Sequence, residues 1–400
     1  MTAPIIIVGA GMAAYSLARE FRKLDKSTPL MLVAGDAGAA YSKPMLSNAF
    51  AQGKEARQLV QAGADDMAAA LDITVLAHTG VGAIDREARR IETSKGSYAY
   101  SKLVLALGAD PVRLPLAGDG ADEVLSVNHL QDYTLLRERL AQAGPQAHVA
   151  IVGAGLIGCE FADDLAAAGY RVTLVDPNPR PLAALAAPSL SDALAQAWAA
   201  RPITLRLGTT ATAVVRQGRK LELQLAVGDS VHADVVMSAV GLRPSIALAR
   251  QARLVTGRGI VVDSVGRTSA PDIFALGDCA EYSINGLGTV LPYVAPLMAA
   301  ARAIAATLAG QPTTIPHKQD AIIVKTASCK LALLPPPPGM RGAWTSTADG
   351  ERVVARFRDE EGVLRGFGLS QHTPALRSEL LAELGKRSAV VEGFTAAHGA

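Results

Sequence analysis

His148-Val149-Ala150-Ile151-Val152-Gly153-Ala154-Gly155-Leu156-Ile157-Gly158 is a continuous apolar run that breaks into a glycine turn and then enters the helical stretch Cys159–Ala168. That order describes a buried parallel strand, a tight turn and a helix laid back on the sheet. The chain opens on the same plan, with Ile5-Ile6-Ile7-Val8-Gly9-Ala10-Gly11-Met12-Ala13-Ala14 followed by the helical stretch Tyr15–Leu24. Apolar runs at Leu30–Ala34 and Arg171–Asp176 read as the next strands and complete two βαβ units. The fold class is therefore α/β, with two Rossmann-like dinucleotide-binding domains.

Working outward, further short apolar runs end in glycine: Ser101–Gly108, Ala233–Gly241 and Ile273–Gly277. Gly108, Gly241 and Gly277 are thus placed where a strand's carboxyl end brings backbone to a ligand. Leu291–Leu308 reads as a long Ala-rich helix. Beyond Gly310 the texture changes, and Ala321–Thr326 and Val353–Phe357 read as strands of an antiparallel sheet in a small α+β C-terminal domain. Pro335–Pro338 imposes an extended loop within it. The tail beyond Ser388 matches no pattern and reads as disordered.

A chain of 400 residues with 50% apolar content has material for two or three domains at about 150 residues each. With 39 basic and 37 acidic residues the net charge is +2, too little excess to coat a phosphate backbone, so no nucleic acid partner is expected. The mean hydropathy of +0.23 comes largely from alanine. Pro292, Pro296 and Arg302 interrupt the most apolar stretch, so no membrane insertion is expected. Cys159, Cys279 and Cys329 lie far apart, which excludes a disulfide scaffold and a thiolate-rich metal site. Thr2-Ala3-Pro4 leads straight into a strand without an export signal, and the expected setting is cytoplasmic. The seven histidines are scattered, and neither a catalytic triad nor a metal-ligating set is visible.

The two glycine turns carry the chemistry. In Gly9-x-Gly11-x-x-Ala14 the first glycine makes the turn, the second admits a pyrophosphate, and the alanine allows close helix packing. Gly153-x-Gly155-x-x-Gly158 matches the full pattern, and Asp176 follows about 20 residues later, placed to bind the ribose hydroxyls of NADH and repel a 2′-phosphate. Arg180, close by, argues the other way. Two dinucleotide sites on one chain imply electrons passing between cofactors.

Thr268-Ser269-Ala270-Pro271-Asp272-Ile273-Phe274-Ala275-Leu276-Gly277-Asp278 resembles the second FAD fingerprint of the pyridine nucleotide–flavin oxidoreductases. The resemblance implies a glutathione-reductase-like arrangement and gives Asp278 a role at the flavin ribityl chain. Tyr41-Ser42-Lys43-Pro44-Met45-Leu46-Ser47 holds no cysteine, unlike the disulfide reductases and flavin peroxidases, and resembles the single-electron reductases that serve small iron proteins. Within those, Val324–Cys329, Leu334–Met340, Trp344 and Gly158–Ala162 are similar to the rubredoxin reductases of alkane-oxidising bacteria. That resemblance spans essentially the whole chain.

It implies FAD and NADH as cofactors and rubredoxin, a small acidic iron protein, as partner. Flavorubredoxin and a [2Fe–2S] ferredoxin are the alternative acceptors, and a monomer suits a diffusing partner. It implies an FAD domain over 1–110 and 240–315, an NADH domain over 111–239, and the C-terminal domain over 316–400. Lys43, Glu160 and Lys325 would act at the flavin. Met12, Ala13, Asp36, Pro44, Val81 and Val294 would join the FAD contacts, and Leu156 and Ile157 those of NADH. Asp36 departs from the family pattern, since Gly35 precedes it where the strand usually ends on the acid. Lys43, Lys325, Arg302 and Lys330 are candidate cations for steering an acidic partner.

Overall fold

The computed structural model describes residues 3–387; the tail beyond Ser388 lies outside the described residues. Strand β1 (Ile5–Val8) is followed by helix α1 (Met12–Leu24) and strand β2 (Leu30–Val33). All four residues of β1 are buried because neighbours flank it on both sides. It lies in a five-stranded parallel sheet ordered Ile273–Ala275, Lys102–Leu105, β1, β2, Thr74–Leu76. Strand order reverses across β1, and the crevice at its carboxyl end is where open parallel sheets take ligands. An antiparallel insert of Val81–Asp85, Arg90–Thr93 and Gly96–Ala99 was not foreseen from sequence.

The second βαβ unit is β3 (His148–Val152), α2 (Leu156–Ala167) and β4 (Arg171–Asp176). Its parallel sheet runs Ile203–Leu207, β4, β3, Val235–Ser238. The run Ala233–Gly241, expected as one strand, is split. Val231–Ala233 belongs to an antiparallel sheet with Ala211–Gln217 and Lys220–Leu225, whereas Val235–Ser238 pairs with β3. Asp234 makes the change of sheet: its N–H donates to the His148 carbonyl, and its carboxylate accepts the His148 N–H, both at 2.8 Å. The helix expected from Leu291 begins at Val294. Pro292 disfavours helical backbone at Leu291, and Tyr293 is the extended residue ahead of the first turn.

Beyond residue 320 the chain forms a five-stranded antiparallel sheet ordered Ile322–Val324, Leu331–Leu334, Leu364–Ser370, Arg352–Asp359, Gly342–Asp349. Helix Pro374–Glu383 packs beside it, with the Thr373 hydroxyl accepting the Leu376 N–H at its start.

One hydrophobic core joins all three regions. Leu46, Ala49, Phe50 and Leu59 of the first region share it with Tyr133, Ile151 and Phe161 of the second and with Val324, Leu331 and Leu333 of the third. Phe50 lies against Tyr133 with ring centroids 5.0 Å apart, and the Arg137 guanidinium sits over its face at 5.2 Å. Truncating this side chain opens a cavity where two regions meet. Phe50→Ala is expected to cost about 3–5 kcal/mol in denaturant unfolding. A loss below about 1 kcal/mol would show that this contact does not hold the regions together.

Candidate functional site

At the first glycine turn Gly9 has φ +116°, and a Cβ there would collide with the Ala106 carbonyl oxygen. Gly11 differs: nothing lies within 4 Å of its missing Cβ. It caps α1 without any side-chain hydrogen bond, so the first-turn N–H groups are left for a ligand. A cavity of about 560 Å³ opens here, lined by Val8, Gly9, Val33, Gly35, Thr79 and Val81 at the strand ends. Volume, open glycine and uncapped helix together fit FAD. Ala14 is fully buried in α1.

The second turn repeats the arrangement. A Cβ on Gly158 would strike the Gly153 carbonyl oxygen, which explains full GxGxxG here. Gly155 again faces open space at an uncapped helix start. Leu156 and Ile157 form the first turn of α2, Ile157 with its side chain exposed. Asp176 ends β4 as expected, but its carboxylate is already engaged. One oxygen accepts the Ala154 N–H at 2.6 Å, and the other accepts the Asn178 backbone and side-chain N–H groups at 2.8 Å. It therefore shapes the turn itself. Arg180 is drawn to Asp192, Nε to Oδ1 at 2.8 Å. Asp36 stands half-buried just past β2, with Oδ1 accepting the Gly38 N–H at 2.9 Å.

Gly108, Gly241 and Gly277 all have positive φ. Gly108 and Gly241 flank two short antiparallel strands, Ala109–Pro111 and Leu242–Pro244, that cross between the regions. A Cβ at Gly277 would press on the Ala13 methyl at 3.0 Å, so α1 and the 277–279 turn pack closely. Met12 begins α1. Asp278 does not cap a helix; one turn of 3-10 helix leads directly into strand Ala280–Ile284. Its carboxylate lies 4.0 Å from Lys43 Nζ. Lys43 is half-buried, and desolvation lowers its pKa while Asp278 acts to raise it. Val294 is exposed at the start of its helix.

Glu160 and Lys325 form the most constrained part of the site. Glu160 is 1% exposed on α2, yet carries three donors. The Lys325 ammonium approaches at 2.6 Å, the Lys325 N–H at 3.1 Å, and the Ser47 hydroxyl at 2.6 Å. The ammonium also donates to the Pro44 carbonyl at 2.5 Å and to Ser47 Oγ at 2.9 Å. Segments of three regions thus meet at one buried carboxylate. Of the four candidate steering cations, Lys43 and Lys325 are turned inward to carboxylates, and Arg302 and Lys330 are exposed. All three cysteines are buried, and burial raises every thiol pKa, Cys279 and Cys329 to about 11. They are small core residues and poor nucleophiles.

Sequence reasoning missed Ser47, Asp163 and Asp164 as site-forming residues. Asp163 and Asp164 carried one available signal: with Glu160 they make three acids in an otherwise apolar helix that has no basic residue. Among the described residues no group of three or more His, Cys, Asp and Glu is arranged to hold a metal, and no helix is long and apolar enough to cross a membrane.

Comparison with known proteins agrees with this geometry. Residues 3–306 match the family described as pyridine nucleotide-disulphide oxidoreductase, and residues 315–384 match the rubredoxin binding C-terminal domain. The chain is 43% identical to the rubredoxin-NAD(+) reductase of Alcanivorax borkumensis, over 95% of this chain and 98% of that one. It is 37% identical to a nitric oxide reductase FlRd-NAD(+) reductase of Aeromonas hydrophila, over 91% and 92%. Among solved structures, the putidaredoxin reductase–putidaredoxin complex superimposes with a TM-score of 0.85 at 25% identity, covering 96% of this chain and 93% of that one.

The two glycines of the first turn separate folding from binding. Gly9→Ala is expected to lose about 1–3 kcal/mol of stability, the usual cost of backbone strain. Gly11→Ala is expected to stay within about 1 kcal/mol of wild type while losing bound flavin, because its Cβ would fill the ligand's space. Denaturant unfolding of the FAD-free protein and flavin titration check both. Equal flavin affinity in Gly11→Ala and wild type would contradict the assigned cradle.

Proposed function

Because this chain belongs to the pyridine nucleotide-disulphide oxidoreductase family, we propose that it is an FAD-dependent NADH:rubredoxin oxidoreductase. The carrying observation is that the region matching a rubredoxin-binding domain delivers Lys325 to Glu160 and Pro44, beside the FAD domain's Lys43 segment. Bound FAD supplies the conversion of a hydride from NADH into single electrons for an iron centre. The chain's own residues bind and orient. The α1 N-terminus and Gly11 hold the FAD pyrophosphate, with Asp36 at the ribose end and Asp278 at the ribityl chain. Gly155 and the α2 N-terminus hold NADH.

Asp176 favours NADH by keeping an anionic carboxylate at the turn, where a 2′-phosphate would be repelled. Arg180 pairs with Asp192 at the surface rather than with the Asp176 turn. Lys43 and Lys325, paired with Asp278 and Glu160, would keep positive charge near the ring, where a cation stabilises added negative charge. No general acid, base or nucleophile is required of the protein, in keeping with three buried, unreactive thiols.

Arg302 and Lys330 supply exposed positive charge for the encounter with an acidic rubredoxin. A monomer in the cytoplasm, feeding electrons towards alkane hydroxylation, completes the reading. The similarity to FlRd-NAD(+) reductases makes flavorubredoxin the second acceptor to test.

Anaerobic stopped-flow mixing with NADH should bleach the flavin rapidly, and oxidised rubredoxin should then restore its colour. NADPH should bleach it far more slowly. Fast bleaching followed by reoxidation with flavorubredoxin or a [2Fe–2S] ferredoxin, and not with rubredoxin, would move the partner and leave the cofactors in place.

A further inference from the structure

Helix α2 presents three buried carboxylates to its neighbours, and they lie one turn apart. Glu160, Asp163 and Asp164 are 1%, 1% and 3% exposed. Spacing of three and four residues puts them on one face of the helix. Among the described residues only Glu160 has a cation. Asp163 and Asp164 are satisfied by neutral donors from other parts of the chain.

Asp164 gathers the end of the Lys43 segment. Its Oδ2 accepts the N–H groups of Ala49 and Phe50 at 2.9 and 2.8 Å, and its Oδ1 accepts that of Ala51 at 3.0 Å. Asp163 does the same for the Lys325 segment. Its Oδ2 accepts the Ala327 N–H at 2.6 Å and the Ser328 N–H at 3.2 Å, while Oδ1 accepts the Ser328 hydroxyl. Trp198 Nε1 also donates to Oδ1 at 2.9 Å, which fixes the carboxylate from the helix Pro188–Trp198. A buried carboxylate satisfied in this way tolerates little displacement, since each lost donor leaves charge unpaired in a poor dielectric.

We propose that Asp163 is a positioning residue for Lys325. It holds the loop Lys325–Ser328 in register on α2, so that the Lys325 ammonium stays between Glu160, Ser47 and the Pro44 carbonyl. Without it, Lys325 would keep its Glu160 pair only through a flexible side chain on an untethered loop. The four-carbon stem loses rotamer freedom when pinned, so a mobile backbone would spread the ammonium over many positions. The hydrogen bonds of Asp163 go to Ala327, Ser328 and Trp198, so it acts through the loop. The role rests on the reading that Lys325 acts at the flavin.

A double-mutant cycle on the FAD-loaded full chain tests this, combined with amide hydrogen exchange. Asp163→Asn keeps the size of the side chain but puts an N–H₂ group among donors. It should speed exchange at the Ala327 and Ser328 amides, and slow flavin reduction by saturating NADH by about tenfold, a rate change worth about 1.4 kcal/mol. The NADH dissociation constant should not change, because the glycine turn and Asp176 are untouched. Added to Lys325→Met, Asp163→Asn should cause no further slowing.

A full further tenfold loss in the double variant would overturn the proposal, because the effect would then bypass Lys325. Unchanged exchange at Ala327 and Ser328 would overturn it as well. If Asp163→Asn does not fold, Ser328→Ala removes a single donor and is read by the same two measurements. If Lys325→Met alone leaves flavin reduction unchanged, the assignment of Lys325 to the flavin fails. The exchange data still decide whether Asp163 holds the loop.

Discussion

A carboxylate inside a protein must be paired or solvated, and Glu160 is 1% exposed. Its one cation, Lys325, comes from the C-terminal region, and its hydroxyl donor, Ser47, from the first. Breaking a buried ion pair by removing one member costs about 3–5 kcal/mol, somewhat less where one partner is partly exposed, as Lys325 is. Docking of the three regions is therefore tied to the satisfaction of one side chain. The shared hydrophobic core gives that docking bulk stability, and the carboxylates of α2 give it registry. The loops fixed in this way are those that carry Lys43 and Lys325.

The two nucleotide domains were legible because their signals are local. Strand, glycine turn and helix follow one another within a dozen residues, and the collisions at Gly9 and Gly158 explain why no larger residue stands there. The parallel strands around β1 and β3 were legible for a related reason: a strand buried on both faces has no polar alternation to disguise it. The FAD fingerprint likewise spans a continuous stretch ending in Asp278.

What escaped the sequence is what depends on contacts between distant segments. Asp163 and Asp164 find partners more than a hundred residues away, and spacing along the chain carries no trace of that. The split at Asp234 looked like one apolar run because both halves are apolar; only the bonds to His148 turn the chain from one sheet to another. Lys43 and Lys325, expected at the flavin and also among the steering cations, are partly buried beside Asp278 and Glu160, contacts between distant segments that the sequence does not show. Arg302 and Lys330 remain exposed. At Asp176 the expected position is right and the surroundings are richer, because the carboxylate also fixes the glycine turn through Ala154.

If Lys325, held by Glu160, sets the electrostatic environment of the flavin, the midpoint potential of bound FAD must differ between wild type and Lys325→Met. Removing the ammonium takes away a cation that would stabilise added negative charge on the ring. The potential should be lower in the variant, and an unchanged or raised potential would show that Lys325 does not set it.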